Sequence, residues 1–280
     1  MTISILGCGW LGLPLGEHLA RRGHRVKGST TSSAKLGALA EAGVEPYLLR
    51  LGDDDPGTEP GPAASDFFDA DALYLNVPPG RRRPDVEARY RAWMAQVAAM
   101  LARSPVRLVV FASSTSVYPD LGREVTEEDA DVAEPESASG RVLREAERLF
   151  LEAPGYDAVV LRFAGLYGYD RRPGRFLAGR TGLAGGDAPV NLVHRDDCVA
   201  VSAAVVERGV RGEVVDQVFN VCADEHPSRR RLYTQAAARM GLEPPVFSDA
   251  PFGFKIVSNR RLKEHLGYTF LHPDPLRDAP

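Results

Sequence analysis

The sequence predicts an α/β fold, a doubly wound parallel sheet with a small C-terminal lobe, and two observations carry that prediction. Short apolar runs near residues 2–6, 24–29, 44–50, 72–77, 107–113 and 156–163 alternate with helical patterns near 10–22, 33–42, 86–103 and 136–153. Strands separated by helices require parallel crossovers. The first run also turns on Gly7, Gly9 and Gly12, in the spacing G-x-G-x-x-G, straight into the helical pattern L-P-L-G-E-H-L-A-R-R-G.

Each glycine has its own physical task in such a loop. Gly7 allows the tight strand-to-helix turn. Gly9 has no side chain to keep a pyrophosphate from the backbone, and Gly12 lets the helix approach the strand. Free N–H groups at the positive end of the helix then face the phosphates. The arrangement implies a Rossmann-type dinucleotide site.

The second strand decides which dinucleotide is expected. An NAD site places Asp or Glu at its end, to bind the ribose 2′-hydroxyl. No acidic residue occurs from His24 to Leu39. Ser29, Thr30, Thr31, Ser32 and Ser33 offer hydroxyls there, and Lys35 offers a positive charge. These groups suit a 2′-phosphate, which a carboxylate would repel, so NADP(H) is favoured over NAD(H). The Ser/Thr run also suits a cap for the helix near Ala34. The cofactor-contacting set is read as Gly7, Gly9, Trp10, Leu11, Gly12, Ser29, Thr30, Thr31, Lys35, Asn76, Val77, Pro78 and Ser113.

Gly52 to Ala64 is an acidic Pro/Gly stretch, read as surface loop and not as a metal site. After Phe163 the alternation weakens, and residues 164–188 are rich in Gly and Arg. A strand near 190–193, a helix near 196–208 and a strand at 218–221 follow, then helical patterns near 228–240 and 259–265. The expected organisation is a dinucleotide-binding core of 1–163, rejoined by 189–222. Residues 164–188 and 223–280 would form a small substrate lobe.

Composition narrows the function classes. The chain has 280 residues, 44% hydrophobic and 26% charged, with a net charge of −4. That balance disfavours nucleic acid or an anionic membrane as a partner and leaves a small-molecule substrate. The runs Arg81-Arg82-Arg83 and Arg229-Arg230-Arg231 are read as solvated surface. Cys8, Cys198 and Cys222 are widely spaced, which implies neither a disulfide framework nor a zinc site, and no metal is expected. No apolar run reaches the ~20 residues that span a bilayer. A first strand starting at Thr2 leaves no room for a signal peptide, so a cytoplasmic protein is expected.

Two further stretches extend the pattern: Val109 to Pro119 (V-V-F-A-S-S-T-S-V-Y-P) and Val159 to Gly168 (V-V-L-R-F-A-G-L-Y-G). With the glycine loop, L-V-H-R-D-D-C-V at 192–199 and F-N-V at 219–221, the chain resembles an extended short-chain dehydrogenase/reductase of the NAD(P)-dependent epimerase/dehydratase superfamily. It is most similar to the atypical YeeZ-like branch, which carries G-W-L-G, S-S-T-S-V-Y, S-G-R-V-L, P-G-R-F and N-L-V-H. The resemblance implies chemistry by a Ser or Thr, a Tyr and a Lys. It puts the Ser role on Ser114. The Tyr and Lys of a Tyr-x-x-x-Lys element fall on Ser139 and Leu143, so both are replaced. In the superfamily the Tyr moves the substrate proton, while the Lys lowers its pKa and holds the nicotinamide ribose. Ser139 and Leu143 still share one helix face.

Tyr118 and Tyr167 are the other candidates for proton transfer, because each follows a strand end. Arg175, in P-G-R-F, offers a fork for an anionic group, and His194 sits at a strand end; both are substrate-contact candidates, with a structural role as the alternative for His194. Arg141 is a weaker candidate of the same kind. Asp197 is read as a helix cap. Trp93, Met94 and Met100 are read as core or interface residues. Apolar residues at helical spacing, Tyr90, Trp93, Met94, Val97 and Leu101 with Val142, Ala146, Leu149 and Phe150, suggest a homodimer through paired helices. Three functions fit: an NADP(H)-binding epimerase/dehydratase-like oxidoreductase, a non-catalytic NADP(H) sensor, and a nucleotide-sugar enzyme with a substituted acid/base.

Overall fold

The computed structural model describes residues 1–52, 64–80 and 85–278. Most of the acidic Gly52–Ala64 stretch and the Arg81-Arg82-Arg83 run lie outside the described residues. A seven-stranded sheet has the order β10-β7-β5-β4-β1-β2-β3. Its strands are β1 (Thr2–Leu6), β2 (Arg25–Thr30), β3 (Glu45–Leu48), β4 (Ala72–Leu75), β5 (Leu108–Ser114), β7 (Asp157–Phe163) and β10 (Gln217–Val221). The pairs β1–β2, β2–β3, β1–β4 and β4–β5 are parallel. From β1 the chain winds outward to β3, then returns to β4 on the other side of β1. That reversal opens a crevice at the carboxyl ends of β1 and β4, the place where doubly wound sheets bind ligands.

The chain divides into two compact units. The first comprises Met1–Val117, Glu136–Leu161 and Val199–Val218. Its strands are apolar because both faces are covered: Ile3, Ile5, Leu73, Tyr74, Val109, Val110 and Phe111 are all buried. Helices α1 (Gly12–Arg21), α2 (Leu36–Glu41), α4 (Val86–Leu101) and α5 (Ala138–Leu151) supply the connections, with a short α3 (Ala64–Phe67) before β4. Lys27 breaks the apolar pattern of β2. It is fully buried, and its ammonium donates to the carbonyls of Asp66 and Asp69. A cation there caps the carboxyl end of α3, where carbonyls lack helical partners.

The second unit comprises Tyr118–Pro135, Arg162–Cys198 and Phe219–Pro280. Beyond the expected lobe of 164–188 and 223–280 it includes 118–135, 162–163, 189–198 and 219–222. The reason is pairing: β6 (Glu124–Val125) joins β11 (Ile256–Val257), and β8 (Gly165–Tyr167) joins β9 (Leu192–His194), both in parallel. Helix α6 (Arg195–Val210) follows β9, and α7 (Arg229–Arg239), α8 (Arg260–Leu266) and α9 (Pro275–Asp278) complete the chain. Tyr167, Leu192, Leu232, Ala236 and Leu276 form its apolar core.

A polar network is buried beside that core. Arg162 donates to the Tyr118 hydroxyl and to the Glu127 carbonyl, at 2.8 Å each. Tyr118 donates to Asn220 Oδ1 at 2.6 Å, and the Asn220 backbone N–H donates to Glu127 Oε1 at 2.8 Å. Asp197 is also fully buried. It stands in the first turn of α6, where the sequence suggests a cap. Its carboxylate accepts from the Tyr268 hydroxyl and from the backbone N–H groups of Leu271 and His272, and so pins the C-terminal segment.

Candidate nucleotide site and substrate cleft

The glycine loop lies at the β1–β4 crevice of the first unit. Gly7 has φ +105°, and a Cβ there would stand 2.4 Å from the Asn76 carbonyl oxygen. A Cβ on Gly12 would stand 2.3 Å from the Gly7 carbonyl oxygen, so helix and loop touch at that point. A Cβ on Gly9 would meet nothing within 4 Å. The space is open where a pyrophosphate would approach the backbone. The N-terminus of α1 has no side-chain cap and no acidic residue in its first turn. The Leu13 and Leu15 N–H groups bond the Gly9 and Leu11 carbonyls and Pro14 has none, so what the start of the helix offers an anion is its positive dipole end. The residues therefore fit a dinucleotide.

Two neighbours hold the loop. Ser29 Oγ accepts the Gly7 N–H at 2.9 Å, and Asn76 Nδ2 donates to the Gly7 carbonyl at 3.0 Å. Ser29 is thus a buried loop fastener, and Thr30 turns its hydroxyl to the Ser32 N–H. Thr31 and Lys35 are exposed at the end of β2. Trp10 is half-buried and Leu11 buried, so Leu11 offers its backbone alone. Val77 accepts the Tyr90 hydroxyl through its carbonyl at 2.9 Å, and Pro78 is exposed. Cys8 is buried and its thiol is pushed up to about 12, chiefly by burial, which leaves it inert as a nucleophile.

At the end of β5, Ser113 is buried and donates to the buried carboxylate of Glu147 on α5. Its hydroxyl is spent inside the first unit, so its expected place among the cofactor contacts is not supported by a free side chain. Ser114 is half-buried and accepts the Ser116 N–H at 3.2 Å. Ser139 lies in the first turn of α5, half-buried, 3.4 Å from the Gly80 carbonyl, and Leu143 is buried one turn on.

The candidates in the second unit fare differently. Tyr118 is buried, and its hydroxyl both donates and accepts within the polar network, so it is framework and not a replacement acid. Tyr167 is fully buried and its hydroxyl has no hydrogen-bond partner. Burial raises its pKa, with Asp278 and Asp197 adding to the effect, so it stays protonated and cannot serve as a base. Arg175 is exposed on a short 3-10 turn. The cations of the cleft are others. A cleft of about 300 Å³ is lined by Arg229, Lys255, Asp120, Asn191, Tyr233 and Phe252, among others. Arg229 stacks on Phe252, 4.5 Å from the ring centre, and its buried Nε lacks a partner. Lys255 is held by Asp120 at 2.6 Å. Asn191 is spent on the chain at β11, donating to the Lys255 carbonyl and accepting from Val257. Sequence reading set Arg229 aside as part of a surface arginine run; nothing local distinguishes the one that stacks inward.

Comparison with known proteins agrees with this geometry. Residues 86–222 match a family model described as the NAD dependent epimerase/dehydratase family. The chain is 37% identical over 278 residues to protein YeeZ of Escherichia coli K12, covering 98% of this chain and 97% of that one. A functionally unknown conserved protein from Silicibacter pomeroyi superposes with a TM-score of 0.77 at 26% identity, over 99% of this chain and 96% of that one. A short-chain dehydrogenase/reductase superfamily protein from Agrobacterium tumefaciens with bound NAD superposes with a TM-score of 0.76 at 21% identity, over 100% and 96% of the two chains. No helix among the described residues is long and apolar enough to cross a membrane.

Proposed function

Since the chain belongs to the NAD dependent epimerase/dehydratase family, we propose that it is an NADP(H)-binding, epimerase/dehydratase-like oxidoreductase acting on a small anionic substrate. The observation that carries this reading is the uncapped α1 N-terminus beside the open face of Gly9. When bound, the nicotinamide supplies or accepts hydride. The chain's residues bind and orient. The glycine loop and α1 take the pyrophosphate, and the exposed Thr31 and Lys35 take the 2′-phosphate. Ser114 and Ser139 supply hydroxyls for the reacting group. In the second unit, Arg229 with its unpartnered Nε and Lys255 favour an anionic substrate.

Titration of nucleotide fluorescence tests the first half. NADPH should bind more tightly than NADH, and equal or tighter NADH binding would overturn the preference. A cytoplasmic location and a homodimer through α4 and α5 belong to the same proposal. Leu149 is exposed on α5, but Arg91–Glu145 and Arg141–Glu87 ion pairs lie across the two helices. Light scattering at micromolar concentration decides the dimer.

A second reading, a non-catalytic NADP(H) sensor, is favoured by one observation. Ser139 and Leu143 occupy the dyad positions, while Tyr118 and Tyr167 are engaged or held protonated. Oxidation of NADPH with a panel of carbonyl substrates separates the two readings.

A further inference from the structure

We propose that the second unit carries a divalent transition-metal site formed by His194, Asp196 and His272. The three come from the end of β9, the first turn of α6 and the C-terminal segment, and one donor atom from each lies within 4.8 Å of the other two. Asp196 Oδ2 is 3.5 Å from His194 Nδ1 and 3.6 Å from His272 Nε2. A tetrahedral ion with bonds near 2.1 Å separates its ligands by about 3.4 Å. The two imidazoles overlap with ring centres 3.8 Å apart and planes inclined by 40°, so one ring must turn for both lone pairs to meet one ion.

The surroundings hold these donors in ligating form. The Tyr169 hydroxyl donates to Asp196 Oδ1 at 2.8 Å, which leaves Oδ2 turned to the two imidazoles. His272 Nδ1 is 3.4 Å from the Asp278 carboxylate. That is the carboxylate–histidine–metal arrangement, which orients the ring and makes Nε2 the free donor. The Asp196 backbone N–H donates to His194 Nδ1 at 3.2 Å, so this nitrogen carries a lone pair and the proton sits on Nε2. A metal would replace that long bond.

Two backbone features support the placement. Tyr169 has φ +57°, an unusual conformation for a non-glycine residue, and its ring stacks on His194. Gly168 has φ +113°, and a Cβ there would stand 2.4 Å from His194 Nε2, so the glycine makes room for the imidazole. Two imidazoles and one carboxylate suit Zn²⁺, Co²⁺ or Ni²⁺ and not Mg²⁺. Asp196 and His272 are partly exposed, so the ion can be reached and can keep a water ligand.

Untagged, chelator-stripped protein titrated with ZnCl₂, CoCl₂ and MgCl₂ by calorimetry tests the site. One Zn²⁺ or Co²⁺ should bind per chain, with no competition from Mg²⁺. His272→Gln and Asp196→Asn should each weaken binding at least tenfold, and Asp278→Asn by about tenfold. Melting in EDTA shows whether each variant folds. Zn²⁺ should raise the melting temperature of the native protein and not that of His272→Gln. No saturable one-to-one binding, or binding unchanged in both ligand variants, would overturn the proposal and leave the cluster as histidine–carboxylate pairs.

Discussion

Asn76 Nδ2 donates to the carbonyl oxygen of Gly7 at 3.0 Å, and thereby ties the glycine loop after β1 to the end of β4. The bond joins the two strands at the point where the sheet order reverses. It holds the loop open toward the crevice.

The three glycines then separate into two kinds. Gly9 has ordinary φ and open space around its Cβ direction, so Gly9→Val should fold with stability changed by less than ~1 kcal/mol. Its branches would occupy the pyrophosphate space, and NADPH affinity should fall at least tenfold. Gly12→Ala puts a methyl group 2.3 Å from a backbone oxygen, and should lower stability by about 2 kcal/mol or more. Denaturant melts with NADPH titration check both. Tight NADPH binding by folded Gly9→Val would remove the loop assignment.

The proposed preference for NADP(H) rests on the exposed end of β2. Ser29 and Thr30 direct their hydroxyls to neighbouring N–H groups, so Lys35 and Thr31 carry the expected discrimination. Lys35→Glu should weaken NADPH binding about tenfold or more by like-charge repulsion and leave NADH nearly unchanged. An equal loss for both nucleotides would assign Lys35 a structural role.

Much of this was legible in the sequence, and the part that was not has physical causes. The central strands β1, β4 and β5 are apolar runs buried on both faces, and their positions follow from that pattern. The strands at 124–125, 165–167 and 256–257 are too short to show a period of two, so the pairing that draws 118–135 into the second unit leaves no pattern in the sequence. Lys27 and Glu147 are charged residues inside apolar surroundings, and their partners lie 34 to 42 positions away. Tyr118 looked like a strand-end tyrosine free for chemistry; its partners Asn220 and Arg162 come from β10 and β7. Long-range hydrogen bonding of this kind leaves no local signal.

The cysteines give a chemical check on burial. Cys8, Cys198 and Cys222 are all buried, and burial pushes their thiols up, that of Cys8 to about 12. At pH 8 the thiolate fraction of each is negligible. A disulfide reagent should label none of them in the native protein and all of them in denaturant. Rapid native labelling at Cys8 would mean that the glycine loop opens.

Asp129 supplies a pH-dependent contribution. Arg123 and the Thr126 N–H hold its carboxyl down, from 3.8 to about 2. A lowered folded-state pKa stabilises above the unfolded value, so the contribution is complete above about pH 4 and is lost as pH falls toward 2. Asp129 closes a capping box with Thr126. Asp129→Asn should flatten the stability profile between pH 4 and 2 and lower stability at neutral pH. An unchanged acid limb in urea melts would exclude Asp129 as a contributor.

The dyad positions and Tyr118 give the sharpest test of mechanism. General acid–base assistance is worth typically ~10²–10⁴-fold, and the proposed reading puts Ser139 and buried Leu143 at the positions that would supply it. Turnover of nucleotide sugars by the ordinary Tyr-dependent route should therefore be slower by about that factor than in an enzyme with the dyad. Tyr118→Phe discriminates framework from catalyst. It removes the donor to Asn220 and an acceptor from Arg162, both buried, and should destabilise by about 1–3 kcal/mol. Any turnover measured with NADPH, counted per folded molecule, should stay the same. If Tyr118→Phe folds as well as the native chain yet loses turnover, the hydroxyl acts on substrate and the network seen around it is a resting arrangement.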